Sequence, residues 1–362
     1  MTSRERIKAI LKGEPYDHFG ICDRYWGETV TEWRKFGLPE DMSIDDYFDY
    51  DVRDIVGPLD YMPFRGVNEI IEETDEWSIT KSGWGASLKN WKTKTGVPEH
   101  IDFDCTSPEK WKKYREQLVD FDPTRFDLNT TRESWEAAQK NDKCNAFCYF
   151  FIVEAMRMSM GDLCMLESSI LEPAWIHDFC RVFTDFSIAQ YDYAFREAGK
   201  PDVFYLADDL GFSNGLFFSP KSFRELLLPY YKEFVGFLHD NGVLAVLHAC
   251  GGITEALPMI VEAEFDCLQP MEAKAGNNVV EYAKAYGDKL AFMGNMDVTV
   301  LNQNNDELTK QEVLGKLNAL HELGARYVFH SDHSLPPDIS FHTYSYAVDL
   351  YRDFCKTHRC GL

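Results

Sequence analysis

The sequence predicts a TIM-type (β/α)8 barrel, formed as one domain over residues 1–362 with a β-meander inserted at about 67–104. Three observations carry this. From about residue 146 onward, short apolar runs alternate with helical stretches six times, at the spacing of a parallel sheet. Two further strand candidates precede that half and bring the count to about eight. A chain of 362 residues is long for one compact domain but ordinary for a (β/α)8 barrel with insertions.

Taken in order, Thr2 to Glu5 fits a capping box, and Ile7, Ile10 and Leu11 give the first helix an apolar stripe. A strand is expected near 18–22, running into Asp23, Arg24, Tyr25 and Trp26, and a weaker one within 45–60. Residues 67–104 alternate Thr, Trp, Ile and Leu with charges around Ser82-Gly83, as antiparallel hairpins do. Residues 108–140 read as polar helix. Strand 146–153 ends at Glu154, helix follows over 155–198, and strand 203–206 ends at Asp208-Asp209. Ser219-Pro220 is an N-cap with Pro at N1, opening a helix to about 239. Strand 243–247 exits into His248, Cys250 and Gly251-Gly252. Helix 254–263, strand 265–268 ending at Gln269, and helix 277–286 come next. Strand 290–293 leads to Asn295 and Asp297, then helix 306–323 and strand 327–329. That last strand ends at His330 and His333, before a closing helix over 340–356.

Charge narrows the function. Lys and Arg number 37 against 60 Asp and Glu, a formal charge of −23. Such a surface repels nucleic acid and anionic membranes and suits a polyanionic substrate poorly. Ten scattered cysteines in a chain of this size read as reduced thiols in a cytoplasmic protein. The charged start MTSRERIKAI has no apolar core of a signal peptide, and no apolar run approaches a membrane span.

The active site of such a barrel lies where the strands exit. Side chains alternate along a strand, so His248 and Cys250 share a face, and imidazole plus thiolate is half of a zinc site. The other reading is a core histidine beside an inert buried cysteine. A third ligand must come from another strand exit, His333 or His330, and Glu154 is a further candidate. Asp208 and Asp209 are adjacent, so their side chains diverge and one at most faces the site. Asn295 joins these two as a catalytic candidate. Arg24, Tyr25, Trp26, Gln269 and Asp297 are substrate-binding candidates by position.

Several segments together resemble the uroporphyrinogen decarboxylase-like superfamily, in particular its cobamide-dependent methyltransferase branch. They are the N-terminal run from Thr2 to Gly13, Leu206-Ala207-Asp208-Asp209-Leu210-Gly211, Ser219-Pro220, Phe223-Arg224-Glu225 and Leu228-Pro229-Tyr230-Tyr231. Leu247-His248-Ala249-Cys250-Gly251, Met293-Gly294-Asn295-Met296-Asp297 and the run from His330 to Pro337 complete the set. The resemblance implies a TIM barrel whose zinc motif, His-X-Cys followed distantly by Cys, falls on His248, Cys250 and position 333, where this chain has His. His333 is preferred over His330 because it keeps the offset before Leu335-Pro336-Pro337. Exchanging a thiolate for imidazole removes a negative charge and makes zinc a stronger Lewis acid, which suits polarising oxygen. The implied activity is O-demethylation: zinc and an acid such as Asp208 stabilise the departing alkoxide or phenolate of a methyl ether. The methyl group passes to the cobalt of a separate corrinoid protein, because this chain has no Asp-X-His-X-X-Gly cobalt-ligand segment. The alternatives are a uroporphyrinogen decarboxylase-type lyase and a barrel that binds a corrinoid or aromatic ligand without turnover. Against the lyase, the N-terminal region offers only Arg24 for substrate carboxylates.

Overall fold

The computed structural model describes residues 1–55, 59–92 and 98–360. Parts of the 45–60 strand expectation and of the 67–104 insertion fall on residues 56–58 and 93–97, outside the described residues. The barrel forms as expected. In chain order its first two strands are β1 (Gly20–Ile21) and β2 (Val52–Asp54). The inserted sheet follows as β3 (Asn68–Glu73), β4 (Trp77–Ser82), β5 (Ala86–Trp91) and β6 (Glu99–Phe103). Then come β7 (Cys144–Phe150), β8 (Val203–Ala207), the short β9 (Gly211–Phe212) and β10 (Gly215–Leu216), and β11 (Leu244–Ala249). The series ends with β12 (Cys267–Pro270), β13 (Ala291–Met293) and β14 (Tyr327–Phe329).

The barrel sheet runs β1-β14-β13-β12-β11-β8-β7-β2, every pair parallel. Its seam between β1 and β2 is closed by one residue. The Asp51 N–H donates to the Ile21 carbonyl at 2.7 Å, and the Asp51 carboxylate accepts from the Ile21 N–H at 2.8 Å. The other Asp51 oxygen accepts from Arg6 Nη1 at 2.9 Å, so the first helix, Ser3–Lys12, is tied to the seam. A side-chain carboxylate thus supplies the acceptor that a strand carbonyl supplies elsewhere in the ladder.

Arg6 also grips Asp17 with two hydrogen bonds, at 2.7 and 2.9 Å. Partial burial alone would raise the Asp17 carboxyl, but the Arg6 guanidinium holds it well below the usual carboxylate range. A depressed folded-state pKa contributes stability above the unfolded value, about 4, and that contribution fades as pH falls further. Asp17→Asn is therefore expected to cost about 1.5–3 kcal/mol at pH 7. Urea unfolding should show the deficit narrowing below pH ~4; a deficit constant down to pH ~2 would refute the linkage.

The inserted sheet is antiparallel in the order β3-β4-β5-β6, as the alternating pattern of 67–104 predicts. It leans on helix Ile152–Leu171 through Phe103. Gly161 has φ 75°, and a Cβ there would stand 2.4 Å from the Phe103 ring. This glycine kinks the helix Ile152–Leu171, and the expected continuous helix over 155–198 divides further on, at Glu172 (φ −133°) and Pro173, into Ile152–Leu171 and Pro173–Glu197. The helix after Ser219 is also divided, into Pro220–Leu226 and Leu228–Asp240, because Pro229 has no N–H for the interior of a longer helix. Two boundaries shift in ways that matter for the site. β7 ends at Phe150, so Glu154 lies in the first turn of a helix and not at a strand exit. β12 extends through Gln269 to Pro270, so Gln269 lies within its strand.

Candidate active site

The site is built on the exits of β8 and β11. Leu244 to Leu247 are buried, and the side-chain alternation that buries Val246 toward the barrel axis sends His248 and Cys250 to the same side. Gly251 then turns the chain at φ 84° directly onto the β9–β10 hairpin; a Cβ there would lie 2.3 Å from Gly211 backbone atoms. That contact presses the His248–Cys250 segment against the loop carrying Asp209. Cys250 N–H donates to Asp209 Oδ1 at 2.9 Å.

His248 Nε2 stands 3.7 Å from Cys250 Sγ and 3.8 Å from Asp209 Oδ1. All three ligand atoms lie within 4.8 Å of one another, the one such group of three among the described residues. A tetrahedral zinc ion separates its nitrogen, sulfur and oxygen ligands by roughly 3.4–3.6 Å. The donor set and spacing therefore fit a metal ion after small side-chain movements. Burial pushes the Cys250 thiol well up, with Asp209 and Glu272 adding to it, and burial lowers His248. The metal-free cluster is thus thiol plus neutral imidazole, and an ion must displace the thiol proton.

His333 is half-buried, with Nε2 4.0 Å from Glu272 Oε1, and it stands outside the close triad. His330 is fully buried and both its ring nitrogens are engaged, one with the Ser331 carbonyl at 2.5 Å and one with Gln269 at 3.1 Å. Gln269, 2 % exposed, spends its amide on His330 and on His248. Of the adjacent pair, Asp209 faces the triad. Asp208 is fully buried, accepting from the Tyr231 hydroxyl and from the Glu154 N–H at 2.7 Å. Burial pushes Asp208 up to about 8 and Glu154 up to about 7. Arg157 pairs with Glu154 and approaches Asp209 Oδ2 at 3.8 Å.

The barrel mouth also opens a cavity of about 230 Å³ whose lining includes Asp23, Arg24, Tyr25, Asp45, Asp54 and Tyr205 but no residue of the triad; the charge of Arg24 reaches His248. Arg24 is paired with Asp54 and lies 5.3 Å over the Tyr205 ring. Tyr25 donates to Asp45 at 3.2 Å. Trp26 is half-buried and its N–H donates to the Leu335 carbonyl at 3.2 Å, fastening the β1 exit to the loop after β14.

The family model described as uroporphyrinogen decarboxylase (URO-D) matches residues 157–354, more than half of the chain. The chain belongs to the URO-D family. A uroporphyrinogen decarboxylase from Aquifex aeolicus (strain VF5) is 28 % identical over 139 residues, which are 38 % of this chain. The match covers 39 % of that relative's length. The solved structure of a methyltransferase from Methanosarcina mazei superposes with a TM-score of 0.71 at 17 % identity, over 98 % of this chain and 99 % of that one. At that identity the likeness is one of fold.

Within this URO-D barrel the remaining sequence candidates hold loops. Asn295, 1 % exposed with φ 67°, donates to the carbonyls of Met271 and Asn277 and accepts from Val279 N–H. Asp297 caps the short helix Val298–Leu301 through Thr299. Sequence reasoning passed over Glu272, Arg157 and Tyr205. Tyr205 is interior by strand alternation and was readable as such; Glu272 follows a turn at Met271, whose φ of 60° has no sequence signature. Among the described residues no helix is long and apolar enough to cross a membrane, and all ten cysteines are unpaired.

Proposed function

We propose that this chain is a zinc-dependent methyltransferase that moves a methyl group from a methylated small molecule, with aryl methyl ethers favoured, to the cobalt of a separate corrinoid protein. The observation that carries the proposal is the Asp209–His248–Cys250 triad, spaced for a metal ion at the strand exits of a barrel whose mouth also holds a cavity with tyrosine walls. We assign Asp209 as the third ligand in place of His333. When bound, zinc supplies Lewis acidity that stabilises negative charge on a departing oxygen. Asp209 restores the anionic charge that a histidine at 333 removes from the family motif, so charge count alone does not select oxygen chemistry. Donor hardness does: the carboxylate is a harder donor than the thiolate of the family motif, and a harder ligand set favours a harder substrate atom.

The chain's own residues do the rest. Tyr25 and Tyr205 flank an aromatic ring, and Arg24 with Asp54 offers polar contacts at its edge. Glu154, near half-protonation at neutral pH and linked to Asp209 through Arg157, delivers the proton to the leaving oxygen, while Asp208 fixes the Glu154 backbone. A screen of methyl donors with a reduced corrinoid protein, with zinc measured on the same sample, tests this. Methylation of cobalt by an aryl methyl ether, lost in His248→Ala, is expected. No methylation from any donor with a zinc-loaded sample would refute it.

The URO-D family match and the Aquifex relative favour a second reading, a decarboxylase-type lyase. Its substrate carboxylates would have to be met by Arg24, whose charge is already taken by Asp54. Turnover of a porphyrinogen above background is the result that would establish it.

A further inference from the structure

We infer that Gln269 and His330 form a hydrogen-bond relay that holds His248 in the tautomer whose bare Nε2 faces the metal position. The inference deepens the proposed zinc site and rests on that reading for its purpose, though not for its geometry. Neither residue touches the triad's open side; both act through His248 and are positioning residues.

The relay begins at a main-chain carbonyl. His330 Nδ1 lies 2.5 Å from the Ser331 carbonyl oxygen, which can only accept, so Nδ1 carries the hydrogen. Asp23 Oδ1 stands 3.5 Å from the same nitrogen and favours that placement. In a neutral ring Nε2 is then bare. It meets the Gln269 Nε2 amide at 3.1 Å, which can only donate. The amide's orientation is thereby fixed, and its Oε1 must point the other way. Oε1 lies 2.5 Å from His248 Nδ1 and can only accept, so His248 carries its hydrogen on Nδ1. His248 Nε2 is left bare, 3.7 Å from Cys250 Sγ and 3.8 Å from Asp209 Oδ1.

Each link admits one direction only, and the two middle links are sealed from water: Gln269 is 2 % exposed and His330 1 %. The relay crosses the barrel mouth from the exit of β14 through β12 to β11, so three strands determine one proton position. In the other tautomer His248 would present N–H to the metal and could not ligate through Nε2.

Histidine-selective 15N labelling of the metal-free protein reads the tautomer directly from two-bond and three-bond 1H–15N correlations in the imidazole rings. Wild type should show His248 as a single Nδ1–H form. Gln269→Met, close in shape but unable to accept, should show mixed tautomers and a zinc Kd raised about 10- to 100-fold by chelator competition. Gln269→Glu, which still accepts the Nδ1–H, should recover the single tautomer and most of the zinc affinity. An Nε2–H form in wild type overturns the inference, as does Gln269→Met with unchanged tautomer and unchanged Kd. Should Gln269→Met not fold, the wild-type spectrum and Gln269→Glu decide. Wild type that holds His248 as the Nδ1–H form yet binds no zinc would remove the metal reading and leave the relay standing.

Discussion

Asp209→Asn is expected to weaken zinc binding roughly 100-fold or more, whereas His333→Ala should leave it within about threefold. The asymmetry follows from placement. Asp209 Oδ1 is 3.8 Å from His248 Nε2 and already receives the Cys250 N–H, so it is held where a ligand oxygen is needed. His333 meets Glu272 at 4.0 Å and stays outside the triad. Structural zinc sites yield apparent binding energies of about 10–16 kcal/mol over four ligands, so one ligand carries on the order of 3 kcal/mol, or a factor of about 100. The asparagine keeps the size and the hydrogen bond from Cys250 while removing the charge, which separates ligation from loop geometry. Chelator competition on both variants settles the assignment. Zinc lost from His333→Ala and kept by Asp209→Asn would place the ion on the two histidines and Cys250.

The second large effect is on stability. Asp51→Ala should cost roughly 3–5 kcal/mol, because it strips a buried carboxylate from both a guanidinium and a strand N–H. Asp51 is 3 % exposed, and its oxygens accept from Arg6 Nη1 and Ile21 N–H. Without them the Ile21 N–H has no acceptor at the one seam, among the described residues, where neighbouring barrel strands are not joined by a ladder. Asp51→Asn retains an oxygen for Ile21, and Arg6 keeps Asp17, so that variant should lose only about 1–2 kcal/mol. Urea unfolding of the two variants distinguishes loss of the acceptor from loss of the charge. Equal losses in both would mean that the charge matters and the seam acceptor does not.

Much of this was legible in the sequence. The alternation of strand and helix gave the barrel, and the spacing of His248 and Cys250 put both on one face. The side of the mouth each neighbour occupies was less legible. Asp208 and Asp209 could be seen to diverge, but which one turned inward depended on β8 ending at Ala207 and on the Gly211–Leu216 hairpin pressing on Gly251. Two-residue strands joined by tertiary contact leave no periodic signal. Gln269 read as a substrate contact because its strand was expected to stop one residue short of it; once β12 runs on to Pro270, the side chain is enclosed. His333 keeps the family offset, yet its Nε2 lies 4.0 Å from Glu272 Oε1 and outside the close triad. Offsets count residues along the chain, and only the packing of neighbouring loops decides where a side chain arrives.

The inserted sheet leaves and re-enters the barrel at one place. Phe64 N–H donates to the Gly83 carbonyl at 3.0 Å, and Asp104 N–H donates to the Gly85 carbonyl at 3.0 Å, so both ends of the excursion are fastened to a single turn. Trp84, within that turn, is 2 % exposed and meets the rings of Tyr61 and Phe183 in tilted contacts. To the rest of the chain the excursion is a short connection, whatever its contour length, because the turn has already brought its ends together. Closure entropy grows only slowly with loop length, and here the sheet's own ladder supplies the closure. Length and sequence in the outer strand β3, exposed along its whole length, are therefore decoupled from the barrel, whereas β6 stays tied to it through Phe103. The outer strand β3 can be remodelled without any change to the strands that hold Asp209, His248 and Cys250.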